Sequence, residues 1–159
     1  MKKVFNGFII VSAIIYFFVL YYMLFRLAGR EMVIVSEHML DNYNYWNSVN
    51  LIPFRTIFEY VAAAIDGSAT GHAMRNLLGN LFLFFPAGFY IPFFVKKADR
   101  IRTFGIIMAA VIIAIEVVQL ATKTGSLDVD DFILNFTGAL IGFIIFIHTR
   151  IRGILCLRA

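Results

Sequence analysis

Four long apolar runs, separated by polar segments, set the pattern of this chain. Each run is near the length of about 20 residues that a helix needs to cross roughly 30 Å of hydrocarbon. The runs cover residues 4–25, 77–95, 104–121 and 132–147. They predict an all-α, polytopic membrane protein, in which a four-transmembrane-helix bundle forms one domain over residues 1–159.

Two features inside these runs predict how the helices are shaped and packed. Pro86 interrupts the second run, and a proline inside a helix removes a backbone hydrogen bond and bends the helix. Gly138 and Gly142 lie four residues apart in the fourth run, a spacing of small residues that permits close contact between helices. We therefore expect a bent second span and a closely packed fourth span.

A different apolar pattern follows Pro53, before the second run. Apolar residues recur at helical spacing over residues 54–65, with polar residues on the other side. Proline suits the first turn of a helix, and an Asp-Gly-Ser sequence at 66–68 suits its end. The segment is predicted to be an amphipathic helix that lies in the outer membrane interface or covers the bundle.

Composition supports a membrane protein and argues against other classes. The hydrophobic fraction is 61% and the mean hydropathy is +0.84, whereas about half of the residues in soluble domains are apolar. The net charge of +4 comes from residues beside the apolar runs, so the expected partner is the lipid bilayer and not nucleic acid. A single cysteine excludes an internal disulfide framework.

Lysine and arginine are distributed unevenly between alternate polar segments. They dominate residues 2–3, 96–102 and 150–158, where Asp99 is the only acidic residue. The positive-inside rule therefore places both termini in the cytoplasm and the protein in the bacterial cytoplasmic membrane. The first run is too long for a typical signal-peptide core, so we expect it to remain as a helix.

Polar residues also stand near the ends of the last three runs that this orientation directs outward. They are Arg75, Asn76, Asn80, Glu116, Gln119, Asp128, Asp130, Asp131 and Asn135. An ionisable group at the bilayer centre costs roughly 2.5–3.5 kcal/mol on insertion scales, so such groups usually mark a buried site or pathway. The second, third and fourth spans are therefore predicted to form an outward-facing polar pocket.

The residue types in this pocket suggest several kinds of chemistry. Glu116 and Asp131 could act as general acid and base, and Arg75 could hold a phosphate or carboxylate. Carboxylate and amide oxygens would suit Mg²⁺ or Ca²⁺, whereas the three histidines are too far apart to indicate zinc. The members expected to bind ligand are Arg75, Asn76, Asn80, Gln119, Asp128, Asp130 and Asn135.

A structural role for the same residues stays open. Asp128 or Asp131 would suit the N-terminus of the fourth helix as a cap. Glu116 could pair with Arg75 or bond to Asn80 inside the bundle. No G-x-S-x-G motif and no phosphate-binding P-loop is present in the sequence to identify an enzyme.

Most of these polar positions fall in four segments that together resemble the VanZ-like family of small bacterial membrane proteins. The segments read VNLIPF at 49–54, NLLGNLFLFFPAGF at 76–89, EVVQ at 116–119 and DVDDFILNFTG at 128–138. Their order and spacing extend the resemblance over about residues 4–148. The resemblance departs at one place: many members of that family have Gly-Arg before the acidic run, where this chain has Gly125-Ser126. If that arginine binds ligand, Arg75 or Lys123 would have to replace it here.

The resemblance implies a cell-envelope protein, linked in the founding member to resistance against glycopeptide antibiotics, teicoplanin in particular. It implies no settled biochemical activity. We expect a protein that binds or processes a surface or lipid-linked ligand, such as a cell-wall precursor or a glycopeptide. The alternatives are a membrane enzyme acting on a lipid or precursor headgroup, a structural subunit, and a small transporter or flippase. With four spans, a transporter would have to form a homo-oligomer.

Overall fold

Helices dominate the computed structural model, which describes residues 2–27, 49–68, 71–122 and 124–148. The helices are α1 (Lys2–Tyr21), α2 (Arg55–Ile65), α3 (Gly71–Leu83), α4 (Ala87–Phe94), α5 (Ile101–Thr122) and α6 (Val129–His148). A π-helical segment, Tyr22–Leu27, continues α1, and a 3-10 turn at Lys96–Asp99 joins α4 to α5. Two short strands, β1 (Val49–Asn50) and β2 (Leu127–Asp128), complete the described elements.

Four stretches of the described chain are long and apolar enough to cross a membrane. They are Asn6–Arg26, Ala73–Phe94, Ile101–Thr122 and Val129–His148. They confirm the predicted all-α bundle with four spans. Helix α2 falls where the amphipathic helix is predicted, and its placement at a membrane surface stays a prediction. Lys123, His38 and the basic tail lie outside the described residues.

The second span is two helices joined by a turn. Helix α3 ends at Leu83 and α4 begins at Ala87, after Pro86. Proline has no amide hydrogen, so the carbonyl of Phe82 cannot accept the helical bond from residue 86. It accepts a bond from the amide of Phe85 instead, at 3.3 Å. The predicted bend at Pro86 is therefore confirmed as a break in the helix.

Helix α6 packs against both halves of this broken span at two glycines. A Cβ atom at Gly138 would overlap the carbonyl oxygen of Leu81, and one at Gly142 would overlap that of Phe85. Gly88 on α4 faces the α6 backbone at Ala139 in the same way. Larger side chains would push the helices apart, so the predicted close packing of the fourth span is confirmed.

The centre of the bundle is filled by apolar side chains from all four spans. Its buried members are Leu20, Leu24, Phe84, Ala87, Phe104, Met108, Ile112, Ala139 and Phe143. The rings of Phe104 and Phe143 stack with their centroids 4.3 Å apart. Large apolar side chains also cover the outside, including Phe8 and Phe18 on α1. An apolar exterior over an apolar core fits a lipid bilayer environment.

A short parallel strand pair joins two distant loops. Val49 pairs with Leu127, and Asn50 pairs with Asp128. The pair places the start of α2 beside the start of α6. The sequence pattern gives no sign of these strands, because two residues carry no periodicity.

Candidate functional site

Asp128 is fully engaged in hydrogen bonds at the strand pair. Its Oδ1 accepts bonds from the Asn50 side-chain amide at 3.0 Å and from the backbone amide of Asp130 at 2.8 Å. Its Oδ2 accepts a bond from the Thr56 hydroxyl at 2.8 Å. The bond to the amide of Asp130, the second residue of α6, makes Asp128 a helix cap, so the structural alternative for this residue is confirmed.

Asp130 caps a helix that begins 75 residues earlier in the chain. Its Oδ1 accepts a 2.5 Å bond from the amide of Phe54, and its Oδ2 accepts a 3.2 Å bond from the amide of Ile57. The first amides of a helix have no partners within the helix, and α2 has no cap from its own side chains. The fully buried carboxylate of Asp130 supplies the missing acceptors.

Phe54, whose amide bonds to Asp130, has an unusual backbone conformation. Phe54 has φ 67°, a left-handed conformation that a bulky residue rarely adopts. Such a conformation costs on the order of 1–3 kcal/mol and persists only where neighbouring contacts fix it. The bond from its amide to Asp130 is one such contact. We refer to Asn50, Thr56, Asp128 and Asp130 as the strand-end cluster.

Asp131 belongs to a second group of polar residues, located between α3, α5 and α6. It accepts a hydrogen bond from the side-chain amide of Asn80 on α3, which also donates to Asn76 at 2.7 Å. Glu116 on α5 interacts electrostatically with Asp131 and with Asp128. Two carboxylates from different spans are therefore neighbours at this point of the bundle.

Glu116 and Asn135 each present a buried oxygen without a hydrogen-bond partner. Within the described part of the chain, Glu116 Oε2 and Asn135 Oδ1 are the side-chain atoms in this state. The two residues are 7% and 3% exposed. Asn135 follows Asp131 by four residues on α6, so both lie on one helix face. We refer to Asn80, Glu116, Asp131 and Asn135 as the interhelix cluster.

Gln119 and Arg75 form hydrogen bonds outside the two clusters. Gln119 is buried, and its side-chain amide donates a 3.0 Å bond to the carbonyl of Leu24, so it ties α5 to the end of the first span. Arg75 is exposed, and its Nε donates to the carbonyl of Gly71 at 3.0 Å. Among the described residues Glu116 forms no ion pair with Arg75. Their proposed roles in ligand binding stay predictions.

The arrangement does not favour a metal ion bound by side chains. The described residues contain no group of three or more His, Cys, Asp or Glu side chains that could hold a metal. Asp128 and Asp130 already accept bonds from the protein. The suggestion of Mg²⁺ or Ca²⁺ gains no support from this geometry.

Two residues of the strand-end cluster, Asn50 and Thr56, do not appear among the candidate site residues of the sequence. Asn50 lies in β1 and Thr56 lies in α2, both far along the chain from Asp128. The available signal was the segment VNLIPF, which carries Asn50 and belongs to the family resemblance. Its bonding partners could be identified only from the folded chain.

Fold and site together define a small multi-pass membrane protein with buried polar residues between three of its spans. The chain belongs to the VanZ/LLP1 family, whose sequence profile matches residues 13–152. The match confirms the predicted resemblance. No curated protein and no solved structure matches the chain significantly.

Proposed function

We propose that this protein binds a surface or lipid-linked ligand of the cell envelope at the interhelix cluster. The observation that carries the proposal is the pair of buried, unpartnered oxygens on Glu116 and Asn135. A buried polar atom left without a partner costs about 1–3 kcal/mol, so it usually has a bound water or ligand in the working protein. An intramembrane carboxylate beside it strengthens this interpretation.

The two polar clusters differ in whether their oxygen atoms remain available to bind a ligand. In the strand-end cluster, both carboxylates accept hydrogen bonds from the chain itself. In the interhelix cluster, Asn80 bonds to Asp131, while an oxygen of Glu116 stays free. The binding role therefore belongs to the interhelix cluster, and the strand-end cluster holds the loop that lies beside it.

An enzyme acting on a lipid or precursor headgroup is the second candidate. The observation that favours it is the electrostatic interaction between Glu116 and Asp131, since two neighbouring carboxyls can share acid and base roles. Turnover of a lipid-linked precursor by the purified protein, lost in Glu116→Gln, would distinguish catalysis from binding alone.

The binding proposal is tested with protein purified from bacterial membranes. We expect native mass spectrometry to detect a lipid or lipid-linked species on the wild-type protein. Glu116→Gln and Asp131→Asn should reduce its occupancy roughly tenfold, because each replaces a carboxyl group of a desolvated site with a neutral amide. Glu59→Gln is the matched control, since Glu59 is exposed and pairs only locally with Arg55 at 3.1 Å.

A cellular readout links binding to the envelope. In a teicoplanin-susceptible host, expression of the wild-type protein should raise the inhibitory concentration, and Glu116→Gln, Asp131→Asn and Asn80→Ala should abolish the increase. Each variant must reach the membrane at the wild-type level. Equal occupancy of the bound species in the wild-type protein and in both carboxylate variants would contradict the proposed site.

A further inference from the structure

The unpartnered atoms of the interhelix cluster share one chemical property. A carboxylate oxygen and an amide oxygen both accept hydrogen bonds. The free atoms, Glu116 Oε2 and Asn135 Oδ1, therefore call for a partner that donates. A phosphate or a carboxylate offers mainly acceptors and would leave the Asn135 oxygen without a donor.

The charges in the cluster also favour a ligand group that donates hydrogen bonds. The cluster contains two carboxyl groups, and the donor that reaches Asp131 is the neutral amide of Asn80. Among residues 2–27, 49–68, 71–122 and 124–148, no ion pair joins Glu116 or Asp131 to a lysine or an arginine. A buried carboxylate is strongly unfavourable unless a cation or a proton neutralises it, and an ammonium group on a ligand would supply that positive charge.

We propose that the interhelix cluster binds a primary ammonium group, carried either by an aminolipid headgroup or by a small free amine. An ammonium group supplies three N–H donors and one positive charge. It can donate to Glu116 while its charge offsets the carboxyl groups, and Asn135, one helical turn from Asp131, offers a further acceptor. This inference rests on the proposed function, because it specifies the ligand of the same site.

The surroundings of Glu116 favour the lipid as the source. Val117 and Val118, the next residues on α5, are 54% and 46% exposed. In a membrane span, such positions contact acyl chains. Glu116 lies less than two turns from the end of α5 at Thr122, near the depth of a lipid headgroup. A lipid standing beside α5 could therefore extend its headgroup toward the cluster.

The test measures headgroup preference in the full-length protein. Purified protein receives equal amounts of phosphatidylethanolamine, phosphatidylcholine and phosphatidylglycerol, and native mass spectrometry counts the retained lipids. We expect the wild-type protein to retain phosphatidylethanolamine roughly tenfold over the other two. Phosphatidylcholine is the sharp comparison, because its headgroup keeps the positive charge and has no N–H donor.

Variants connect this preference to the cluster. Glu116→Gln should bring the ratio of phosphatidylethanolamine to phosphatidylcholine close to one, and Asn135→Leu should lower it partly, since one acceptor is lost. Glu59→Gln should keep the wild-type ratio. Circular dichroism and size-exclusion profiles identify variants that fail to fold, and Asn135→Leu provides a second test if Glu116→Gln is one of them.

The outcomes distinguish the proposed ligand class, an ammonium group, from the proposed binding function of the interhelix cluster. Displacement of the lipid by millimolar ethanolamine supports an ammonium site open to free amines, and resistance to ethanolamine supports the lipid source. Preference for phosphatidylglycerol that depends on Glu116 overturns the ammonium class and leaves the proposed binding function standing. Retention of all three lipids without any dependence on Glu116 or Asn135 overturns both.

Discussion

Neighbouring acidic residues in this protein carry out different tasks. Asp130 is fully buried and accepts bonds from two amides of α2, whereas Asp131 turns toward Asn80 on α3. Successive residues on a helix point about 100° apart, so adjacent aspartates face different parts of the molecule. Asp130 therefore holds the start of α2, and Asp131 takes part in the contacts between the spans.

Removal of the Asp130 carboxylate should weaken the attachment of α2. We expect Asp130→Ala to destabilise the protein by about 1–2 kcal/mol, because the amides of Phe54 and Ile57 lose their acceptors. Thermal unfolding in detergent measures the loss, and limited proteolysis should show earlier cleavage near α2. Glu59→Gln, on the exposed side of the same helix, should unfold like the wild-type protein. Identical unfolding of Asp130→Ala would show that the cap is dispensable.

At the level of side chains, sequence reasoning found the acidic residues but not their partners. Glu116 stood out inside an apolar run, and Asp128 and Asp131 stood out directly before one. Which of them would be satisfied by the chain could not be deduced, because the donors Asn50 and Thr56 lie 78 and 72 residues from Asp128. Contacts at such separation depend on the folded arrangement and leave no local pattern.

The helical elements themselves were predictable because their causes are local. An apolar stretch of sufficient length and a proline at 86 each act through their immediate neighbours, and the glycines at 138 and 142 have a recognisable spacing although they contact another helix. The strand pair was not predictable, because two-residue strands are defined only by the partner that they meet. The element boundaries also shifted, since α3 begins at Gly71, before the apolar run starts.

Close contact between α3 and α6 depends on the absence of a side chain at Gly138. We expect Gly138→Ala to destabilise the bundle by roughly 1–3 kcal/mol, because the added Cβ would overlap the Leu81 carbonyl, part of the α3 backbone. Gly79→Ala is the matched control, since nothing lies within 4 Å of a Cβ at that position of α3. Alanine also favours helix, so this control should be neutral or slightly stabilising.

The stability of both glycine variants is measured by unfolding in increasing concentrations of denaturant. Size-exclusion chromatography shows whether each variant remains dispersed. Equal stability of Gly138→Ala and Gly79→Ala would mean that α3 and α6 can separate without loss. That result would contradict the packing role assigned to Gly138.

On the scale of the whole molecule, hydrogen bonds between described residues join the first span to the second and third spans. The hydroxyl of Tyr16 donates to the carbonyl of Leu83 at 2.9 Å, beside the break in the second span. The hydroxyl of Tyr90 donates to Ser12 at 3.1 Å. Gln119 binds the carbonyl of Leu24 near the other end. These bonds fix the first span to the second and third spans at two depths.

The orientation in the membrane is a prediction that chemical labelling can check. In a Cys156→Ser background, a cysteine at Ser126 should react with a membrane-impermeant maleimide in intact cells, because residues 122–131 are predicted to face outward. In the unaltered protein, Cys156 should react only after the membrane is permeabilised. Reaction of position 126 only after permeabilisation would invert the orientation and place the interhelix cluster near the cytoplasmic side.

The capping of α2 by Asp130 also fixes an order of events during biosynthesis. The amide of Phe54 and its acceptor are separated by 76 residues, and two further spans are made between them. Until Asp130 emerges, the first amides of α2 lack the carboxylate that accepts their bonds in the folded protein. The contact that holds the start of α2 can therefore form only after the chain has been made as far as the first turn of α6.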